Sequence, residues 1–414
     1  MADPLRFCMV STFYPPYHLG GDAMGAYRLT EALAERGHRV DVVHSRDAYH
    51  LQRPGGPEAA FTHHPNVTLH PLESRRPALS VLATHQLGRP AFYDRQLREV
   101  LEGNRYDVIH YHNVSLMGAP GVLTMGRAVK LYTAIEYWLI CPTHVLFTFD
   151  REACTERHCL ACTLHSRRPP QAWRYTGALG RALEHIDCLI MPSRFALEQH
   201  RAQGIDRPMV HLPCFMPYPP EGTPPAGPAL PERPFFLYVG RLEKLKGVQD
   251  MVRLFATYRE ADLVIVGGGN YRSVLEEQAR GHDHIHFLGS LHPSLLTEIY
   301  RKAVAVLVPS LCYETFGFTL TEALSQGTPA IARRIGALAE NIEVSGAGYT
   351  FTSLDECREA MEHLRTQPDL RARLGRQGQV AFREHWSPEA HMARYLDLVS
   401  SLIGRRPVPD ARPA

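Results

Sequence analysis

The sequence predicts an α/β protein built of two doubly wound parallel-sheet domains that face each other across a central cleft. Three observations carry that prediction. Short apolar runs alternate with helical patterns through both halves of the 414 residues, as βαβ units require. A proline-dense stretch, residues 213–234 (PCFMPYPPEGTPPAGPALPERP), interrupts the alternation once. No helix or central strand tolerates that density, so it reads as an interdomain linker. Each half also contains an apolar strand ending in Pro-Ser, LIMPS at 189–193 and VLVPS at 306–310, as two similar domains would.

Composition sets the outer bounds. At ~150 residues per domain the length suits two or three domains. Apolar residues make up 44% and charged residues 21%, which excludes a wholly disordered or collagen-like chain. No apolar run reaches the ~18 residues of a membrane-spanning helix. The N-terminus, MADPLRFCMVSTF, lacks a charged region ahead of a long apolar stretch and reads as a first strand, not a signal peptide. A net charge of +2 gives no support for nucleic-acid binding. Nine cysteines, an odd number, point to a reduced, cytoplasmic chain without a disulfide framework.

The elements follow in order. Residues 6–12 form a strand that runs into the loop YPPYHLGGD. A helix comes next, with Ala26, Leu29 and Leu33 on one face and Gly37 as its stop. VDVVHS is the second strand. Further strands are expected at 107–111, 129–134, 187–191 and 208–212, and helices at 92–103, 172–185 and 194–203. After the linker the order is FFLYV, the loop GRLEKLKG, a helix, DLVIV, GGG, a helix, HIHFL, a helix, AVLVP, a loop, a helix and PAIA. The expected domains are 1–212, with a Cys-rich insertion at 139–170, and 235–385. The helix at 386–404 is expected to pack back on the first domain, and 405–414 to be a disordered tail.

In doubly wound sheets ligands bind beyond the carboxyl ends of the strands. The stretch from Glu314 to Glu322 (ETFGFTLTE) follows AVLVPS and opens a helix. Backbone N–H groups there can hold an anion, and Gly317 permits close approach. Glu314 and Glu322 can accept hydrogen bonds from hydroxyls, or can be ordinary surface carboxylates. Arg241 and Lys246, in the loop after FFLYV, can neutralise a diphosphate, or can form a solvated basic loop. Gly20-Gly21 resembles a phosphate-approach loop without the full pattern of one. His110 and His112 share a face at a strand end. They can meet an acceptor, bind a metal, or form a hydrogen-bonded pair in the cleft wall.

Taken together, the Gly-Gly loop, the Asp107-x-x-His110-x-His112 strand, Gly240-Arg241-x(4)-Lys246-Gly247, the strand ending in Gly-Gly-Gly, and Glu314-x(7)-Glu322 resemble the GT4 family of retaining glycosyltransferases, which has the GT-B fold. The resemblance covers roughly residues 6–385. It implies a nucleotide-diphosphate sugar, UDP- or GDP-linked, held in the second domain. Arg241 and Lys246 match the residues that grip the diphosphate. Glu314 matches the carboxylate on the sugar hydroxyls, and Phe316, Gly317, Phe318, Thr319 and Leu320 the segment lining sugar and phosphate. Glu322 matches the ribose carboxylate, and Leu288-Gly289 the loop beside the base. Gly20 and Gly21 approach from the other domain. The family needs no metal for catalysis.

One departure matters. Family members commonly carry a T-x-His-Asp/Glu-x-W strand end, and here it reads Thr133-Ala-Ile135-Glu136-Tyr-Trp138. Isoleucine can donate neither a hydrogen bond nor a proton, so His112, His144 or Glu136 is expected to supply that contact, or catalysis is impaired. The implied activity is retaining transfer of a hexosyl-type sugar to a hydroxyl acceptor, in the cytoplasm and at the inner face of the membrane. The rival expectation is a non-catalytic nucleotide-sugar binder. Arg167, Arg168, Trp173, Arg174 and Tyr175 suggest a peripheral membrane or polyanion contact, or simply a solvated helix start.

Cys141, Cys154, Cys159 and Cys162 lie apart from these motifs, with His144, His158 and His165 close in sequence. Four thiolates satisfy tetrahedral zinc, so one structural zinc is expected. Reduced thiols, an iron–sulfur cluster and disulfides are the alternatives.

Overall fold

The computed structural model describes residues 3–53, 55–57, 60–218 and 227–405. The middle of the expected linker and nearly all of the expected tail lie outside them. Seven strands form the first sheet: β1 (Arg6–Val10), β2 (Arg39–Ser45), β3 (Val67–Leu72), β4 (Val108–Tyr111), β5 (Val129–Thr133), and, after a two-stranded hairpin of β6 (Phe147–Thr148) and β7 (Glu152–Ala153), β8 (Cys188–Met191) and β9 (Met209–His211). Their order is β3-β2-β1-β4-β5-β8-β9. The second sheet contains β10 (Phe235–Val239), β11 (Asp262–Val266), β12 (Ile285–Gly289), β13 (Val306–Val308), β14 (Ala330–Arg333) and β15 (Gly348–Phe351), in the order β12-β11-β10-β13-β14-β15. All pairings within these two sheets are parallel.

Both orders reverse direction beside their first strand, between β1 and β4 and between β10 and β13. The loops leaving such a pair run in opposite directions and open a crevice. The chemistry-bearing loops predicted from the sequence, 240–247 and 309–317, leave the two strands that flank the second switch point.

Burial matches the apolar pattern. Strand β4 is buried along its whole length, as is β11, because helices cover both faces of a parallel sheet. Ala26, Leu29 and Leu33 of the helix Gly21–Glu35 are buried against the first sheet. The helix expected over 172–185 is broken instead. A 3-10 turn, Ala172–Tyr175, and a helix, Ala178–Leu183, are separated by Gly177 at φ 70°, a left-handed conformation that no helix interior carries.

The helix Pro388–Gly404 packs back on the first domain. Met392, Tyr395 and Val399 join its core, and Arg394 donates to the His211 carbonyl at 2.7 Å. The two domains also meet directly. The Glu340 carboxylate accepts from the backbone N–H groups of Arg194 and Phe195, 3.0 Å each, and so caps the positive end of the helix Arg194–Ala202. Phe195 packs against Tyr313, with ring centroids 4.8 Å apart and the rings tilted by 40°. Among the described residues no helix is long and apolar enough to cross a membrane.

Candidate active site

The carboxyl ends of both sheets open into one interdomain cavity of about 850 Å³. From the second domain it is lined by Val239–Arg241, Lys246, Ser310, Glu314 and Phe316–Thr319; from the first by Gly20, Gly21, Ile135, Glu136 and His144. A side pocket of about 420 Å³ continues between Pro16–Gly20 and Arg241.

Two glycines bring the loops after β10 and β13 together. Gly247 sits at φ 73°, and a Cβ on it would lie 2.0 Å from the Pro309 carbonyl oxygen. No other residue type fits there, so the 240–247 loop lies directly on the 309–317 loop, joined by Leu311 N–H donating to Leu245 at 2.8 Å. Lys246 is thereby delivered to Glu314. Its ammonium donates to Glu314 Oε1 at 2.6 Å, and the Ser310 hydroxyl donates to the same oxygen at 2.7 Å. Gly317, at φ 93°, turns the chain into the helix Phe318–Ser325.

The pair is one-fifth exposed, Lys246 at 19% and Glu314 at 22%. Burial pushes the Glu314 carboxyl up, but the Lys246 charge and the bonds from Lys246 and Ser310 outweigh it and hold the group below 4.5. Burial opposes the Lys246 charge, and Glu314 overcomes it and raises the amine. Both groups are therefore ionised at neutral pH. Arg241 is more open, at 61% exposure, and its guanidinium rests on Glu243 at 2.7 Å. Being mostly exposed itself, it can leave that partner for an anion in the cleft at little cost.

Other expected residues fall elsewhere. Leu320 is fully buried in the core and does not line the cavity, because its helix position faces the sheet. Glu322 accepts from Tyr300 OH at 2.8 Å, one helical turn behind the lining segment. Burial raises its carboxyl despite that bond and the nearby Arg28 charge. Leu288 and Gly289 end β12, the edge strand two places from β10, outside the cavity lining. Gly21 lines the cavity, and a Cβ on it would sit 3.4 Å from the Phe318 ring, an ordinary contact distance. Arg28 went unrecognised in the sequence. From the first domain it reaches over the Phe318 ring, 5.8 Å to its centroid, and acts on Glu322. Its only sequence signal was a cation one position before Leu29 on the buried face of the helix Gly21–Glu35.

The first-domain wall corrects one expectation and sharpens another. His112 does not face the cleft. It is 5% exposed and lines a separate small cavity, with His110, Thr133, Ile135, His391 and Tyr395. The returning C-terminal helix covers this strand end. His110 bonds Tyr395 at 3.0 Å and Thr133 at 2.8 Å, with the His110 and His112 rings 4.2 Å apart. Burial drives His112 down to about 3 and His391 to about 4, so all of this cluster is neutral. Ile135 stands between this cavity and the cleft.

His144 does face the cleft. Its Nδ1 lies 2.7 Å from Glu136 Oε2. With the carboxylate accepting, the ring donates through Nδ1, which leaves the Nε2 lone pair for a ligand. Glu136 Oε1 is buried without a partner. The backbone at His144 is left-handed, φ 74°, a conformation costing about 1 kcal/mol for a residue with a Cβ. It is held by Tyr137 N–H donating to the His144 carbonyl at 3.0 Å. Two bonds tie this wall to the 309–317 loop: Thr315 Oγ1 donates to the Ile135 carbonyl at 2.7 Å, and Tyr137 OH to the Glu314 carbonyl at 3.4 Å.

The Cys-rich insertion folds as the β6–β7 hairpin and the helix Cys159–His165. All four cysteines are free thiols. Burial raises the Cys159 thiol, and Cys141 and Cys154 raise it further, so the four are neighbours. They do not converge on one point, however. Cys141 pairs with Thr143, Cys154 donates to the Glu156 carbonyl and Cys162 to that of Phe147. Among the described residues no group of three or more His, Cys, Asp or Glu side chains is placed to hold a metal.

Comparison with known proteins agrees with this geometry. Residues 224–380 match the family described as glycosyl transferases group 1, and residues 20–214 the glycosyl transferase 4-like domain. The chain is 25% identical over 361 residues to the uncharacterized glycosyltransferase MJ1607 of Methanocaldococcus jannaschii, covering 83% of this chain and 84% of that protein. Sucrose-phosphate synthase from Thermosynechococcus elongatus superposes with a TM-score of 0.70 at 19% identity, over 97% of this chain and 100% of that one. Anabaena Alr3699/HepE in complex with UDP and glucose gives 0.67 at 14% identity, over 96% and 100%. With both domains matched in order, and two Rossmann-like sheets enclosing the Lys246–Glu314 cleft, the chain belongs to the GT4-like family of glycosyltransferases and has the GT-B fold.

Proposed function

We propose that the protein transfers a sugar from a nucleotide-diphosphate donor to a hydroxyl acceptor, with retention of configuration and without a catalytic metal. The observation that carries this reading is the ionised Lys246–Glu314 pair at the switch point of the second sheet, beside the start of the helix Phe318–Ser325. Lys246 and Arg241, released from Glu243, take the diphosphate. The N–H groups at Phe318 and Thr319 add a partial positive charge. Glu314 orients the sugar hydroxyls. The bond from the anomeric carbon to the phosphate oxygen breaks, and the acceptor oxygen bonds the same face. The acceptor proton passes to the departing phosphate oxygen. On the opposite wall, His144 and Glu136 bind the incoming hydroxyl or the transferred sugar, a contact that Ile135 cannot make.

A second reading, a donor-binding protein without turnover, is favoured by Ile135 alone. One experiment separates them. A panel of UDP-, GDP-, ADP- and TDP-sugars, headed by UDP- and GDP-glucose, is tested for binding by thermal shift and for slow hydrolysis. Binding with hydrolysis supports the transferase, and binding without it the second reading. Absence of both removes the donor site from this cleft.

A further inference from the structure

The helix Pro77–Leu87 (PALSVLATHQL) is built inside out. Ser80 and Thr84 are completely buried, and the Thr84 hydroxyl lacks a partner. Leu79, Leu82 and Leu87 point to solvent at 46%, 49% and 52% exposure. A surface helix ordinarily turns leucines inward and charges outward. This one carries no Asp, Glu, Lys or Arg, and burying two hydroxyls to expose three leucines costs stability unless something covers that face.

The surroundings indicate what covers it. Arg75 and Arg76 precede the helix and Arg89 follows it, all three exposed. Glu73, the nearest acid before them, is tied to Arg46 at 3.1 Å. Tyr175, 63% exposed, stands on the Ala172–Tyr175 turn, which is fastened to the helix by Trp173 Nε1 donating to the His85 carbonyl at 2.9 Å. An apolar strip with arginines at both ends and an aromatic ring at its edge matches an anionic lipid surface, where leucines enter the acyl boundary and guanidiniums stay among phosphates. A second copy fits poorly. Antiparallel pairing of two such helices sets Arg75 and Arg76 against the partner's Arg89, and parallel pairing sets like ends together.

The same helix borders the cleft. Val81, Leu82 and His85 line it beside Arg168. We propose that Pro77–Leu87 and its flanking arginines dock the first domain on an anionic membrane, so that the cleft opens at the lipid surface and receives a lipid-borne hydroxyl acceptor. The docking surface stands on the helix alone; the acceptor's lipid nature rests also on the transferase reading.

The test is co-sedimentation with phosphatidylcholine vesicles with and without phosphatidylglycerol, using the full chain. The wild type should sediment with the anionic vesicles only, and less as salt rises. Arg75→Gln with Arg76→Gln should weaken binding roughly tenfold or more, since each basic residue near an anionic surface contributes about a fivefold factor. Leu79→Ser with Leu87→Ser, neither lining the cleft, should also lose most of it while keeping the wild-type affinity for UDP or GDP. Wild type that ignores anionic vesicles, or leucine variants that bind them undiminished, overturns the proposal. So does light scattering that finds a wild-type dimer dissociated by the leucine changes, which assigns the face to a second copy. Vesicle binding without any nucleotide binding would leave the docking surface standing and sink the transferase reading.

Discussion

Replacing Lys246 with methionine removes the ammonium but keeps the stem. Glu314 then retains the Ser310 hydroxyl and loses its only charged contact at hydrogen-bond distance. Breaking a fully buried pair costs about 3–5 kcal/mol. With 19% and 22% of the two side chains exposed, water screens part of that, and a loss of about 2–3 kcal/mol is the reasonable size. For a domain of this length that lowers Tm by roughly 5–10 °C. The Glu314 carboxyl, now held below 4.5 chiefly by Lys246 against burial, should rise, so the acid limb of stability moves to higher pH. Donor binding should suffer separately. One charge-assisted bond to the diphosphate is worth about 1.5–3 kcal/mol, a roughly 10- to 150-fold weaker Kd. The assay is titration calorimetry with UDP and GDP alongside scanning calorimetry. Adding Glu314→Gln removes the stranded charge, so the double variant should be more stable than the sum of the singles by at least ~1 kcal/mol. Additive losses of stability, together with unchanged nucleotide affinity, would refute the assignment of this pair.

Three further outcomes are expected. His144→Ala and Glu136→Gln should each cut turnover roughly tenfold or more, as loss of a positioned polar group does, with nucleotide affinity unchanged, and Ile135→His should not restore it; steady-state kinetics beside calorimetry reads this. Gly317→Ala places a Cβ 2.8 Å from Leu338 at φ 93°, so denaturant unfolding should show a loss of about 1–3 kcal/mol together with weaker donor binding. The buried histidines make the fold acid-sensitive. His112 and His391 have folded values of about 3 and about 4, below the ordinary 6.5, so the unfolded chain binds more protons. Their contribution is complete above pH 6.5 and is lost as pH falls toward 4, on the order of 2–3 kcal/mol for His391. His391→Gln should flatten that limb in a plot of Tm against pH.

Much of the fold was legible because a parallel sheet buries both faces, which leaves continuous apolar strands such as DLVIV between helices. The donor half of the cleft was legible for the same reason: its residues lie in the loops directly after two such strands. The first-domain half was legible only in part: Glu136 and His144 were among the expected residues and line the cleft, but nothing in the sequence separated them from His112. His112 sits at the predicted strand end, but what covers it is a helix some 280 residues later, and no local pattern foretells that packing. His144 reaches the cleft only through a left-handed backbone in an insertion without periodicity. The helix Pro77–Leu87 went unread because its leucines lie on the outward face, which cancels the amphipathic signal that marks a helix in sequence.

The central claim is sugar transfer from a nucleotide diphosphate with retention at this cleft, and proton NMR of the anomeric signals tests it most directly. With the donor panel in water, the account predicts that one nucleotide sugar yields nucleoside diphosphate and a free sugar that first appears in the donor's anomeric configuration, and that the reaction slows in Lys246→Met. First appearance of the opposite anomer, or a wild-type rate that Lys246→Met leaves unchanged, would contradict it.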